Sequence, residues 1–388
     1  MSTQTQTQTE TFILQTKAPV EPTSEQPTIL HEPGIEEPPQ PKLLYPKIIS
    51  AGLSFFMAGV NDGSLGSLIP YVIRSYSIDT NMVSVLYGVT FFGWLFAALS
   101  NSIICQHLDL GLILSLGAAL QILAHILRTW LPPFPLYAVT FFLVSLGQAY
   151  NDTHANTFVT SVPKAHRWLG FIHAMYMAGC LVGPFVATAV ASANEDSKWN
   201  LFYTFPLGIG VINMVIVGVS FHDRMKFSPK RKIPATTGTG IESESTGRTA
   251  WKEIKTILSM KSVWLLSLFF FFFLGAAITA GGWIVEYLVQ VRNGDLKDMG
   301  YVPAGLSGGG FLGRLLLAEP THRLEMVSQA IAFVFVLGQI GGSIFPAITG
   351  IIAARAGVKV LQPMLVGLFS ATAVSWLLLP KDIELHRD

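Results

Sequence analysis

Two stretches of this chain place carboxylates and amides where water should be scarce. Asn61-Asp62 interrupts the first apolar run, and LGQAYNDTHANTFVTSV at 146–162 closes the fourth. In the second stretch Gln148, Asp152 and Asn156 follow at i, i+4 and i+8, so they share one helix face, with Asn151 and His154 beside them. A carboxylate deep in a membrane span costs about 3 kcal/mol on insertion scales, and such a residue is kept for a purpose. Ionised, Asp62 or Asp152 accepts hydrogen bonds; protonated, each also donates. Asn61, Gln148, Asn151 and Asn156 offer both donors and acceptors, which suits a solute rich in hydroxyls. No Lys or Arg lies inside the first or fourth run to neutralise the acids. The expectation is a membrane transporter whose Asp62 and Asp152 face one polar cavity. An interhelical hydrogen bond serving assembly is the alternative for each acid.

The composition requires a lipid environment for such a site. Of 388 residues, 51% are hydrophobic and 13% charged, about half the charged share of a soluble domain. The net charge of +1 argues against a nucleic-acid partner. Cys105 and Cys180 read as packing residues, and no HxxxH or CxxC spacing marks a metal site. No phosphate loop, nucleophile elbow or kinase signature is present, so neither an enzyme nor a cofactor is expected.

Ten apolar runs are expected to span, at about 48–71, 82–105, 110–130, 134–160, 167–192, 200–221, 263–290, 300–318, 330–354 and 360–379. The divisions are a disordered tail at 1–46, a six-helix bundle at 47–221, a central loop at 222–262, a four-span bundle at 263–380 and a short tail at 381–388. With the N-terminal tail in the cytosol, 18 of the 25 Lys and Arg fall on the inner side, which predicts both termini inside. No cleavable leader is visible, so the first span is expected to act as an uncleaved signal. The basic central loop reads as a topology determinant beside anionic lipid. A regulatory site in its Ser/Thr-rich part is the minor alternative.

The halves repeat. FFMAGVNDGSLGSLIPY and FFFLGAAITAGGWIVEY align with Gly59 on Gly275, Gly66 on Gly282 and Tyr71 on Tyr287, an offset of 216 that also puts Gly93 on Gly309. FIHAMYMAGCLVGP and FVFVLGQIGGSIFP align with Phe171 on Phe333, Gly179 on Gly341 and Pro184 on Pro346, an offset of 162. The 54-residue loss falls between Arg323 and Phe333, opposite the third and fourth spans. Two six-helix halves in parallel repeat are the plan of the major facilitator superfamily. The chain resembles that superfamily with helices nine and ten missing. The fold class expected is therefore an all-α polytopic membrane protein with six helices in the first bundle and an incomplete four in the second.

DTHANTFVT at 152–160 is similar to the ETxANPxVT signature of fucose-permease-type proton–sugar symporters, with Asp152 at the glutamate, Asn156 at the asparagine and Thr157 at the proline. Asn61-Asp62 before Leu68-Ile69-Pro70 resembles the same family's first span, and the whole membrane region resembles the fungal bypass-of-stop-codon-like transporters. The resemblance implies symport of protons with a sugar or similar polar solute. Asp62 and Asp152 would carry the proton, and the solute would meet Asn61, Gln148, Asn151, Asn156, His173 and Tyr176. Partners are then that solute, protons and the lipid bilayer, in the plasma membrane rather than the vacuolar one; oligomeric state is open. The competing expectation is a transport-inactive, truncated or mis-spliced homologue with a structural or regulatory role.

Lesser readings follow from the same sequence. Gln121 and His125 share a face of the third span and are expected to be peripheral and structural. His154 could tune Asp152. Gly179-x-x-x-Gly183-Pro184 is expected to pack the two halves together. Glu286 is expected to be a solvated residue at the mouth of the seventh span. Phe269–Phe273 reads as a lipid-facing or packing run.

Overall fold

A bilayer core offers the backbone no hydrogen-bond partner, so apolar runs of this length can only close their bonds within helices. The computed structural model describes residues 43–227, 259–321 and 328–379. A long helix stands at each of the ten apolar runs. In chain order they are α1 Leu44–Tyr76, α2 Thr80–His107, α3 Leu110–Thr129, α4 Phe134–Thr160, α5 Ala165–Ser192, α6 Thr204–Ser220, α7 Lys261–Arg292, α8 Val302–Thr321, α9 Ser328–Ala356 and α10 Leu361–Leu377.

Seven segments are both long and apolar enough to cross a membrane: α2, α3, α5, α6 with the 3-10 turn Trp199–Tyr203, α7, Leu337–Ala356 of α9, and α10 with the turn before it. Helices α1, α4 and α8 fall short of that apolar standard despite lengths of 33, 27 and 20 residues. The reason is compositional. Amides and acids interrupt α1 and α4, and α8 is glycine-rich with Arg314 and Glu319 in its sequence.

Turn chemistry sets the breaks. Ser77 ends α1 in the left-handed region, and the Asp79 carboxylate accepts from the Met82 amide at 2.9 Å to start α2. Pro133 precedes α4, and Gly357, at φ 77°, separates α9 from the turn leading to α10. At one end of the bundle, Lys47 pairs with Asp223 at 2.8 Å and Leu108 bridges to Phe227. At the other, the indole of Trp199 donates to Ser75 at 2.7 Å within a cluster of Tyr76, Tyr137 and Tyr203.

The packing is symmetric in pattern. Helix α5 lies along α1, and α9 lies along α7; these are the two most extensive pairings. Helix α6 also packs on α1 as α10 does on α7. Between the halves, α2 meets α9, α5 meets α8, and α1 meets α7. Exchanging α1, α2, α5 and α6 with α7, α8, α9 and α10 reproduces these contacts, and α3 and α4 are left over.

The small residues locate the tightest approaches. A side-chain carbon at Gly59 would overlap the Tyr176 carbonyl oxygen, and one at Gly179 would overlap that of Phe56. At Gly183 it would stand 2.6 Å from the Val60 carbonyl oxygen. The Gly179/Gly183 motif thus packs α5 against α1 within one half, not the two halves together as expected from sequence. Between the halves glycine is needed at Gly66, where a side chain would overlap the Gly281 carbonyl oxygen, and at Gly350, where one would overlap Ser84 Oγ.

The Lys47–Asp223 pair gives a first test. Lys47 is 2% exposed and its ammonium lies 5.5 Å from the Phe221 ring centroid. The hydrogen bond from Lys47 holds the Asp223 carboxyl below the usual carboxylate range. A depressed carboxylate stabilises the fold above its unfolded value and loses that contribution as pH falls through the folded one. Asp223→Asn is therefore expected to lower the melting temperature at neutral pH. The gap to wild type should close on acidification below the ordinary carboxylate range. Melting curves in detergent across pH check this, and a gap independent of pH would count against the pair.

The N-terminal tail to residue 42, the central loop at 228–258, the 322–327 segment and the C-terminal tail from residue 380 lie outside the described residues. So do the tail and regulatory-loop expectations that fall on them.

Candidate functional site

A cavity of about 1080 Å³ opens between α1, α2, α4 and α5 on one side and α7, α8 and α9 on the other. Its wall includes Asn61, Asp62, Gln148, His173 and Tyr176, five of the residues expected from sequence to handle proton or solute. Asp62 is the hub. Its Oδ2 accepts from the Gln148 amide at 2.8 Å and the Tyr176 hydroxyl at 3.0 Å, and its Oδ1 accepts from the Asn61 amide at 3.3 Å. Three helices, α1, α4 and α5, thus meet at one carboxylate. Gly59 and Gly179 make this possible, since only bare backbones let α1 and α5 approach so closely around it. His173 is set against Phe55, ring centroids 5.2 Å apart and edge to face.

The wall follows α4 through Phe141, Val144, Ser145 and Gln148, and Asp152, Asn151 and Asn156 are not part of it. Asp152 is 4% exposed, one turn from Gln148, and its Oδ1 has no hydrogen-bond partner. It lies near enough to Asp62 for two charges there to repel. Asn151 is 1% exposed and turned toward α3: a side chain at Gly117 would overlap its Oδ1. Neither its oxygen nor its nitrogen has a partner. Asn156 is half-buried one turn further along. His154 points to α2, with Nε2 2.8 Å from Asn101 Oδ1, rather than toward Asp152.

The residue that sequence reasoning missed is Arg128. Counted there as a loop charge, it is 2% exposed in the last turn of α3 and belongs to the cavity wall. Its Nε donates to Thr140 Oγ1 at 2.7 Å and its Nη1 to Asn61 Oδ1 at 3.2 Å. The guanidinium carbon lies 4.0 Å from the Phe141 ring centroid and 5.0 Å from that of Tyr203, positions that favour a cation over an aromatic face. Asn61 is therefore a relay, donating to Asp62 and accepting from Arg128. The available signal was the spacing Gln121, His125, Arg128, which sets three polar side chains on one face of α3. All three are at most 2% exposed, so that face is interior, not peripheral.

Glu286 also departs from expectation. It is 3% exposed and accepts from Gln290 one turn away, so it is buried within α7 rather than solvated at a mouth. The phenylalanine run is divided: Phe269 packs on Phe273 and Trp376, Phe271 and Phe272 on Phe345, and Phe273 reaches the cavity.

A two-part helical bundle around a central cavity, largely apolar but with a carboxylate, amides and a guanidinium in its wall, defines a class of membrane transport proteins. The chain belongs to the Major Facilitator Superfamily, whose family model matches residues 51–324. It is an integral, multi-pass membrane protein of a family of transporters, not of enzymes. It is 27% identical over 304 residues to bypass of stop codon protein 6 of Saccharomyces cerevisiae, covering 74% of this chain and 60% of that relative. The chain thus spans well under the relative's full length.

Solved structures share the fold. A bacterial homologue of the human lysosomal transporter Spinster, inward-facing and unoccupied, superposes with TM-score 0.53 at 13% identity, over 85% of this chain and 79% of its own. A peptide transporter, POT, does so with TM-score 0.61 at 9% identity, over 86% and 94%.

Proposed function

We propose that the protein is a secondary active transporter that carries a sugar or similar polar solute through the central cavity together with protons. The observation that supports this most is Asp62, a carboxylate on the cavity wall held by Gln148, Tyr176 and Asn61 from three helices. An acid on the wall of a membrane-embedded cavity, where a solute must pass, can couple its own protonation to solute binding. Asp62 and Asp152 carry the proton in this reading. Asn61, Gln148, His173 and Tyr176 meet the solute directly. Asn151 and Asn156 take part only if α4 turns during the cycle. The fucose-permease-like signature at 152–160 supports the same substrate class.

The proposed organisation keeps six helices at 47–221 and four at 263–380, joined by the loop at 222–262, with both termini in the cytosol and the plasma membrane as location. The leftover α3 and α4 in the symmetric packing support the absence of helices nine and ten. The test is tracer uptake into proteoliposomes. An inward acid gradient is expected to accelerate uptake about tenfold or more over no gradient. Uptake indifferent to the gradient would remove proton coupling.

A second reading rests on that same shortfall. Without helices nine and ten, one side of the cavity lacks protein, and the chain is then a transport-inactive form of a longer facilitator. Sequencing the transcript decides it, since a message encoding two further spans after residue 323 leaves this reading without support.

A further inference from the structure

Arg128 is a buried cation bonded only to neutral groups. Its two bonds go to a threonine hydroxyl and an asparagine amide oxygen, and its Nη2, enclosed by protein, has no partner. Among the described residues no carboxylate lies in ion-pair contact with it. A guanidinium is a planar fork that binds a carboxylate through two parallel bonds, and here one prong is idle while the other rests on an amide. A buried charge without a counterion is costly. The flanking rings of Phe141, Tyr203 and Tyr137 hold the fork without neutralising it.

We infer that the solute is an anion, a small hydroxylated carboxylate of the sugar-acid or hydroxy-acid class, and that Arg128 anchors its carboxylate. This rests on the reading of the cavity as a proton-coupled transport site and narrows its substrate. The incoming carboxylate displaces Asn61 from Nη1, and a turn of the guanidinium toward the cavity brings the enclosed, unpartnered Nη2 to its second oxygen. The hydroxylated body lies toward Gln148, His173 and Tyr176 in the wall.

Charge balance then explains why a proton should accompany the solute. The fixed charges at the site are the buried Arg128 on α3, Asp62 on the α1 wall of the cavity and the buried Asp152 on α4. The other titratable groups facing Asp62 are Tyr176, His173, His166 and Cys180 on α5, Tyr87 on α2, and Tyr203 before α6; α7 and α9 bring glycines, Gln339, Ser343 and apolar side chains. With one of Asp62 and Asp152 protonated the site is neutral, because Arg128 balances the remaining carboxylate. An anion entering this low-dielectric site would leave a net negative charge unless a second proton arrives with it. Anion and proton therefore enter as a neutral pair. A neutral sugar would add no charge and so would give the site no reason to bind the extra proton.

The test uses the full chain purified in detergent, titrated calorimetrically at pH 5.5 with D-galacturonate against D-galactose, and with D-gluconate against D-glucitol. Each acid is expected to bind about tenfold or more tightly than its neutral partner. It should also take up about one proton per molecule bound, read by comparing buffers of different ionisation enthalpy. Arg128→Lys keeps the charge but not the fork and should weaken the acids about tenfold, and by more than it weakens their neutral partners. Arg128→Gln should abolish the preference, and Arg128→Lys keeps the inference testable if the glutamine variant does not fold. Neutral sugars binding as tightly as their acids, no binding by either acid, or an acid preference unmoved in both variants would overturn the inference. Gradient-driven uptake of D-galactose with D-galacturonate inert would overturn the anion while leaving coupled transport standing.

Discussion

Asp62→Asn is expected to reduce gradient-driven accumulation by about a hundredfold or more, while counterflow exchange at equal pH continues. Asparagine matches aspartate in shape, so its side-chain oxygen can still accept from Gln148 and Tyr176, at positions now held at 2.8 and 3.0 Å. It cannot take up a proton. Its amide would also face the Asn61 amide, which now donates to Asp62 and accepts from Arg128. To avoid two opposed donors Asn61 must flip, and the flip turns a donor toward the guanidinium. The cost to the fold is one or two hydrogen bonds at the cavity wall, about 1–2 kcal/mol, which leaves a folded protein to assay. Asp152→Asn should differ. Asp152 is off the cavity wall, so solute binding should be kept at near wild-type affinity and gradient-driven accumulation should fall less than in Asp62→Asn. Accumulation by Asp62→Asn at the wild-type rate would end its assignment as a proton carrier.

Much of this arrangement was legible before any coordinates, and the reason is the medium. In lipid the backbone must satisfy itself, so every long apolar run could be placed as a helix, and polar residues inside those runs stood out. Asp62, Gln148, His173 and Tyr176 were visible for that reason, and they do line one cavity. The i, i+4, i+8 row on α4 could show a shared face but not how far down that face the cavity reaches. The wall stops at Gln148 because α2, α3 and α5 also pack on α4, and Asn151 is enclosed against Gly117 of α3. Arg128 and Glu286 escaped for the opposite reason. Each sits near the end of an apolar run, where a charge is expected to reach water, and nothing local shows that aromatic rings or a neighbouring glutamine will cover it. Glycine roles were half legible. Small residues four apart mark a close helix contact, but the partner helix is a property of the tertiary fold.

The largest effect on folding is expected at that contact. Gly59→Ala should leave little folded protein, and Gly179→Ala should do the same. The new carbon at Gly59 would overlap the carbonyl oxygen of Tyr176 and stand 2.9 Å from the Cys180 nitrogen. At Gly179 it would overlap the Phe56 carbonyl oxygen and stand 2.7 Å from the Val60 nitrogen. All four of these atoms are backbone, so no rotamer change relieves the clash and the helices must separate. Overpacking against side chains costs about 1–3 kcal/mol; against two backbones the cost should lie at or above the top of that range. Separation would also draw Tyr176 away from Asp62, so any folded remainder should lose coupling as well. Gly88→Ala is the control, because nothing lies within 4 Å of the carbon it adds. Replacing a helical glycine by alanine there should be neutral or stabilising by up to about 1 kcal/mol. Melting temperatures and monodisperse yield in detergent read both variants. If Gly59→Ala melted with Gly88→Ala, the α1–α5 approach would not be as close as described. The carboxylate hub that depends on it would then need a different geometry.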